Sequence, residues 1–313
     1  MSLPHQNIPV KNGQEKFLAE LFDTLWTRYR GRMEYVRKYE EVVQAHGARF
    51  INDHIAFRTI ACQDPPLGIF MISRIFEALG YRAANCYEFP DKNLSSIHFQ
   101  HPNHQFPKLF ITQLKSWELS PAGRRIMEKC LKSHRPNLSE DFLSDLFHLE
   151  ALSPSARAQL LKTLVRNFEE LPWDLPQKKD VLALDKESQY GAWVLINGYD
   201  VNHFTASVNS HQVAGLDDIE KVVAEMRKAG IPMKPDIEGE KGTKLRQTST
   251  ESAVIAVAVK DGQKNVKIPW TYAYFEIAER PLIKNPVTGV PERFEGFLGG
   301  QATNLFEMTK RKT

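Results

Sequence analysis

Apolar positions in the first fifty residues fall at helical spacing. In "EKFLAELFDTLWTRYRG" Phe17, Leu18, Leu21, Phe22, Leu25 and Tyr29 form one stripe, and "MEYVRKYEEVVQAHG" carries a second amphipathic pattern that stops at Gly47. The texture then changes. "NDHIAFRTIA" alternates as a strand does, "PPLGIFMISRIFEALGY" opens on prolines and ends at Gly80 as a helix does, and "YRAANCYEF", "SSIHFQH" and "KLFITQL" read as three short strands. Helical texture returns from "SWELSPAGRRIMEKCLKSH" through "LSPSARAQLLKTLVRNFEEL", with a cap-like Ser or Thr near each start. Beyond the proline-marked connection "PWDLPQKKD", "GAWVLINGYDVNHFTASV" predicts one or two strands and "GLDDIEKVVAEMRKAGI" a helix ending near Gly230. "TKLRQTSTESAVIAVAVKDG" is strand material, and "YAYFEIAERP" is a last strand.

Strand, helix and several strands therefore occur twice, a repeat faint in letters but firm in register. His54 precedes Gly80 by 26 residues and His203 precedes Gly230 by 27. The expectation is one α+β domain over 1–313, built from paired βαβββ modules. Helices occupy 1–50, the first module 51–115, a helical insertion 116–175, the second module 190–282 and a C-terminal segment 283–313.

Composition excludes more than it selects. A formal net charge of +3 without a basic stripe gives no case for nucleic acid or a membrane surface, and no apolar run has the length of a spanning helix. The N-terminus lacks the apolar stretch of a secretory signal, so the expected compartment is the cytoplasm. Cys62, Cys86 and Cys130 form no CxxC pair and are expected as small buried residues. A homo-oligomer stays open.

The chemistry concentrates in "NDHIAFRT". On a strand His54, Ala56 and Arg58 share one face, while Ile55 and Phe57 face the core. His203 holds the equivalent place in the second half. Glu276, between Phe275 and Ile277, points away from both; aligning "LFITQL" on "YFEIAE" makes its first-half counterpart about Ile111, which binds no metal. Two imidazoles and one carboxylate are the set that holds non-haem Fe(II) with positions left open, and they also suit Zn(II), Mn(II), Ni(II) or Co(II). Arg58 lies about 13 Å along the strand from His54. Its fork can take a substrate carboxylate, an ion pair with an acidic neighbour being the structural alternative. Glu279 falls on the opposite strand face, as an ion-pair partner.

Other polar clusters carry less. His98, His101 and His104 in "HFQHPNH" read as a solvated strand end and loop. In "LRQTSTES" Gln247 and Ser249 share a face that could hydrogen-bond substrate, or simply belong to a sheet ladder. Gly299 and Gly300, before Gln301, read as a turn whose backbone nears the substrate, or as a helix start; no strand–GxGxxG–helix context makes them a phosphate loop.

"NDHIAFRT", "NHFT" and "YFEIAER" resemble the signature segments of the DUF1338 family, whose characterised members are 2-oxoadipate dioxygenase/decarboxylases. The resemblance extends over about 17–306. The family is related to the vicinal oxygen chelate superfamily, whose modules pair around a metal, and to hydroxymandelate synthase. The resemblance implies an open, barrel-like sheet and Fe(II) held by His54, His203 and Glu276, with Arg58 on a substrate carboxylate. It further implies a 2-oxo acid that chelates the metal, O₂ as co-substrate, conversion of 2-oxoadipate to 2-hydroxyglutarate and CO₂, and a place in lysine catabolism. Gln247, Ser249, Gly300 and Gln301 are the further candidate substrate contacts. A lyase, isomerase or hydrolase using Zn(II) or Ni(II) as Lewis acid on the same fold is the alternative, and a non-catalytic binding module a third.

Overall fold

The computed structural model describes residues 3–136 and 138–298. Helices α1 (Gly13–Arg32) and α2 (Glu34–Ala45) open the chain, and the side chain of Asn12 caps α1 by accepting from the Glu15 amide. The predicted stripe of α1, together with Trp26, is buried against the sheet. The first module follows as β1 (Asn52–Ala61), α3 (Ile69–Ala78), β2 (Arg82–Phe89), β3 (Leu94–Gln100) and β4 (Lys108–Lys115).

Next come α4 (Pro121–Leu131), α5 (Glu140–Phe147), α6 (Pro154–Glu169), α7 (Lys178–Glu187) and α8 (Gln189–Asn197). Ser120, Ser139 and Ser153 cap α4, α5 and α6, each accepting the amide three residues on. The second module is β5 (Val201–Ser207), α9 (Ile219–Lys228), β6 (Arg246–Ser249), β7 (Val254–Asp261), β8 (Lys264–Thr271) and β9 (Glu276–Glu279), and β10 (Leu282–Lys284) pairs with β11 (Pro291–Arg293). Gly80 and Gly230, the landmarks of the repeat, both sit at positive φ just past α3 and α9, where only glycine ends a helix cheaply.

The large sheet runs β2-β3-β4-β1-β5-β9-β6. Within it β1 pairs in parallel with β4, and β5 in parallel with β9, while β1 and β5 meet antiparallel. In that central pairing His54 faces Thr205, Ile55 faces Phe204 and Ala56 faces His203. The register is symmetric about Ile55 and Phe204, so a local two-fold relates the modules and carries His54 onto His203. The expected α+β frame of paired modules is therefore present. The modules differ in what they add: the first gives four strands and the second three, because β7 and β8 form a hairpin of their own.

Three expectations fail here. "GAWVLING" is the end of α8, not a strand, and all eight residues from Tyr190 to Asn197 are buried. A helix buried on every side is apolar all round, so it has no periodicity by which to tell it from a core strand. Helix α7, which starts at the end of the proline-marked connection and runs on to Glu187, is a further element the sequence reading lacks. The cysteines are not buried either: Cys86 is exposed, and Cys62 and Cys130 are half-buried.

Behind the dyad, the Phe204 ring packs 5.1 Å from Trp26 and 5.0 Å from Tyr29, measured between ring centroids. Phe204→Ala should therefore cost about 3–5 kcal/mol of unfolding free energy in urea titration. A cost under about 1 kcal/mol would mean that the dyad is not a packing centre.

Candidate metal centre

The central strand pair carries two bulges, one on each strand. Between Asn52 and His54 the partner advances by a single residue, which leaves Asp53 as the extra residue on β1; between Ala56 and Phe57 the extra residue is Asn202 on β5. These are the residues that directly precede the two histidines. On a regular strand neighbouring side chains point to opposite faces, but here each bulge turns its side chain onto the ring beside it. Asp53 Oδ2 lies 2.9 Å from His54 Nδ1, and Asn202 Oδ1 lies 3.0 Å from His203 Nδ1. With Nδ1–H donating to these oxygens, each ring presents Nε2 inward, the tautomer a metal needs.

Glu276 begins β9 and is fully buried. His54 Nε2 is 3.2 Å from its Oε1, and His203 Nε2 is 3.7 Å from its Oε2. One donor atom from each of the three residues lies within 4.8 Å of the other two. Thr205 Oγ1 sits 3.0 Å from His54 Nε2. Glu276 Oε2 is buried without a hydrogen-bond partner among the described residues. A buried carboxylate oxygen left in that state is costly unless something cationic occupies the gap, and this donor set fits a divalent metal ion. For His54 burial opposes the charged form, yet the hydrogen bonds to Asp53 and Glu276 outweigh it and raise the pKa. Burial, with the nearby His54 and Arg58 charges, holds His203 well below its ordinary value and so neutral.

A cavity opens beside His54 and His203. Arg58 borders it, its guanidinium held over the rings of Tyr190 at 4.8 Å and Trp193 at 5.1 Å. Both rings belong to α8, and the Tyr190 hydroxyl donates to the Thr112 carbonyl beside Arg58 in the sheet, at 2.7 Å. Burial lowers the Arg58 pKa from its usual value, and an arginine so placed is still a cation at neutral pH. Phe110, Phe297 and Tyr274 add aromatic surface to the cavity, Tyr274 stacked on His203 at 4.6 Å.

Of the remaining candidates, Gln247 borders the cavity; its Nε2 donates to Glu238 at 3.1 Å, and its buried Oε1 has no partner among the described residues. Ser249 pairs with Glu276 across the sheet but is not among the described residues bordering the cavity, and its hydroxyl donates to the Thr250 carbonyl at 2.9 Å. Gly299, Gly300 and Gln301 lie outside the described residues. Glu279 pairs with Arg246 at 3.0 Å.

Three readings need correction. The counterpart of Glu276 is Phe110, one residue from the expected Ile111, because β4 pairs Phe110 with Ala56 as β9 pairs Glu276 with Thr205. His98 and His101 are buried rather than solvated. His98 lies 3.1 Å from the Tyr87 hydroxyl, and burial, with the Lys108, Arg280 and His54 charges, lowers its pKa to about 4. The third concerns what was missed: Asp53, Asn202, Thr205 and Tyr274 adjoin the predicted triad, and only the polar residue before each histidine could have pointed to them.

A family model described as 2-oxoadipate dioxygenase/decarboxylase matches residues 27–288. The chain is 27% identical to the chloroplastic/amyloplastic 2-oxoadipate dioxygenase/decarboxylase of Oryza sativa subsp. japonica, covering 96% of this chain and 80% of the rice protein. Among solved structures, hydroxyglutarate synthase from Oryza sativa in complex with 2-oxoadipate superposes with a TM-score of 0.76 at 26% identity, covering 96% of this chain and 94% of that one. A glyoxalase-superfamily protein from Ralstonia eutropha JMP134 shares the fold at a TM-score of 0.79 and 21% identity, over 95% and 91% of the two chains. Among the described residues no helix is long and apolar enough to cross a membrane.

Asp53 makes the site sensitive to acid. Burial alone would raise its pKa, but the Arg280 and Lys108 charges and the His54 hydrogen bond hold it well below the usual carboxylate range. Such a group contributes its full stability above the unfolded value near 4 and loses it as pH falls through the folded value. Denaturant titrations from pH 6 to pH 3 should therefore lose more stability in the native protein than in Asp53→Asn; parallel curves would show that the pair contributes nothing.

Proposed function

The chain belongs to the 2-oxoadipate dioxygenase/decarboxylase family, and from that premise we propose that it converts a small 2-oxo dicarboxylic acid, 2-oxoadipate the best fit, to 2-hydroxyglutarate and CO₂ with consumption of one O₂. The observation that carries this reading is a buried His54, His203 and Glu276 cluster whose two histidines border the same cavity as the Arg58 cation. His54, His203 and Glu276 would hold Fe(II), which when bound supplies Lewis acidity and redox activation of O₂.

The chain's own residues do the rest. Asp53 and Asn202 orient the two imidazoles through Nδ1 and leave each Nε2 directed at the site. Arg58 takes the carboxylate distant from the keto group by two parallel hydrogen bonds, which fixes how far the substrate reaches. Tyr190 and Trp193 hold that guanidinium flat, so its fork needs no reorganisation when substrate arrives. Phe110, Phe297 and Leu245 exclude bulk water, which strengthens each of these contacts. Gln247 Oε1 offers one acceptor to a donor in the cavity.

Protein loaded anaerobically with Fe(II) should take up O₂ and release CO₂ in equal amounts when given 2-oxoadipate, with no second 2-oxo acid required. Absence of oxygen uptake across a panel of 2-oxo acids would overturn the proposal, and turnover with Zn(II) or Ni(II) but not Fe(II) would replace it with Lewis-acid chemistry. Arg58→Met should lower kcat/KM for 2-oxoadipate by roughly 10- to 150-fold, the equivalent of a charged hydrogen-bonded contact of about 1.5–3 kcal/mol. The same change should leave 2-oxohexanoate, which lacks the second carboxylate, much less affected. Equal losses on both substrates would remove Arg58 from substrate binding.

A further inference from the structure

Residues 294–298, which follow β11, form a strap across the first module. Its Phe297 ring rests 4.9 Å from His54, 4.7 Å from Phe110 and 5.2 Å from His98, closing one side of the metal cavity. Glu295, two residues earlier, borders a separate and larger groove on the other side, which Asp53 and Lys108 also border. The strap and Asp53 are thus parts of one partition between the cavity and that groove.

Among the described residues Arg280 holds both parts of the partition by hydrogen bonds, and Lys108 reaches both by ion pairs. Arg280, one residue past β9, is 1% exposed. Its Nε donates to Asp53 Oδ1 at 2.8 Å, and its Nη2 to Asp53 Oδ2 at 3.0 Å. Its Nη1 turns the other way, donating to the Phe294 carbonyl at 2.9 Å and the Gly296 carbonyl at 2.6 Å. The planar fork makes these bonds interdependent, since rotating it to follow one partner withdraws it from the other. The strap has further ties: Tyr87 Oη accepts from the Phe297 amide at 3.3 Å, Gln100 Nε2 donates to the Glu295 carbonyl at 3.0 Å, and Lys108 pairs with the Glu295 carboxylate at 2.5 Å. Of these three only Lys108 also reaches the carboxylate behind His54, as an ion pair with Asp53 Oδ1 at 4.0 Å, whereas Arg280 grips both carboxylate oxygens by hydrogen bonds.

We propose that Arg280 is a positioning residue that couples the orientation of His54, through Asp53, to closure of the Phe297 strap over the cavity. Seating a cation at His54 tightens its hydrogen bond to Asp53, holds Asp53 against Arg280 and so holds the strap shut; loosening the strap frees Arg280 and loosens His54. Coupling of this kind runs equally in both directions. The inference rests on the reading of His54, His203 and Glu276 as metal ligands, and the test separates the two.

Amide hydrogen exchange of residues 294–298 is measured on the full chain with and without Co(II), whose visible absorption reports its own binding. In the native protein Co(II) should slow exchange across the strap by roughly fivefold or more. Asp53→Asn, whose side chain does not touch the strap, should speed strap exchange and weaken Co(II) binding by about 10- to 100-fold. Arg280→Lys, which keeps the charge but not the fork, should do the same and shift the Co(II) absorption bands. Strap exchange indifferent to Co(II) in the native protein, or unchanged in Asp53→Asn, would overturn the coupling while leaving the metal reading intact. Failure of the native protein to give a Co(II) spectrum would overturn both. The native-protein comparison needs no variant to fold.

Discussion

Everything at this site depends on the antiparallel pairing of β1 with β5. A sheet has a side-chain period of two, so a slip of one residue would send every inward group outward. The register is held by residues that have nothing to do with chemistry. Ile55, Phe57 and Phe204 are buried in the apolar core, and Phe204 is wedged against Trp26 and Tyr29 of α1. Once Ile55 sits opposite Phe204, His54 and His203 must come to one face. The two bulges then follow the same symmetry, and each delivers an oxygen to the Nδ1 of its histidine. Core packing therefore positions the imidazoles and sets their tautomers, at no cost in polar groups beyond Asp53 and Asn202.

The duplicated frame would be useless if it were perfectly symmetric. Position by position, the second module has Glu276 where the first has Phe110, Thr205 where the first has Ala56, and Ser207 where the first has Arg58. All the ligating oxygen is on one side of the dyad. The other side is left with a small residue, an aromatic wall and a distant cation. A carboxylate at Phe110 would fill the open side with charge and close the space a substrate needs. The asymmetry that the repeat hides is what turns a shared scaffold into a directional cavity.

How much of this could be read along the chain depended on how local the physics is. Alternation on strands is local, so His54, His203, Glu276 and Arg58 were all legible, as were the serine caps of α4, α5 and α6. Helix α8 was not, because a helix apolar on every face has no period to betray it, and with it went Tyr190 and Trp193, the rings that hold Arg58. The Asp53–Arg280 pair joins residues 227 apart in sequence, and nothing in the letters links them. The same holds for Phe297, which lies 243 residues from His54 and packs on its ring at 4.9 Å. His98 and His101 sit next to a Pro-Asn turn, which suggested solvent; the packing of Phe106 and Phe297 against them decided otherwise.

Charge balance gives the strongest reason for a dianionic substrate. Taking charge out of water is expensive unless it is compensated on the spot. On the outer side of His54 the account is closed within the protein, since Asp53 is matched by Arg280. Toward the cavity the fixed charges are Glu276 and Arg58, and a divalent metal would leave that side with excess positive charge. A 2-oxo dicarboxylate would bring two negative groups, one beside the keto oxygen for the metal end and one for Arg58. A monocarboxylate can satisfy only one end and leaves the other for water that the aromatic wall keeps out. Selectivity then arises as much from what the wrong ligand leaves uncompensated as from what the right one gains.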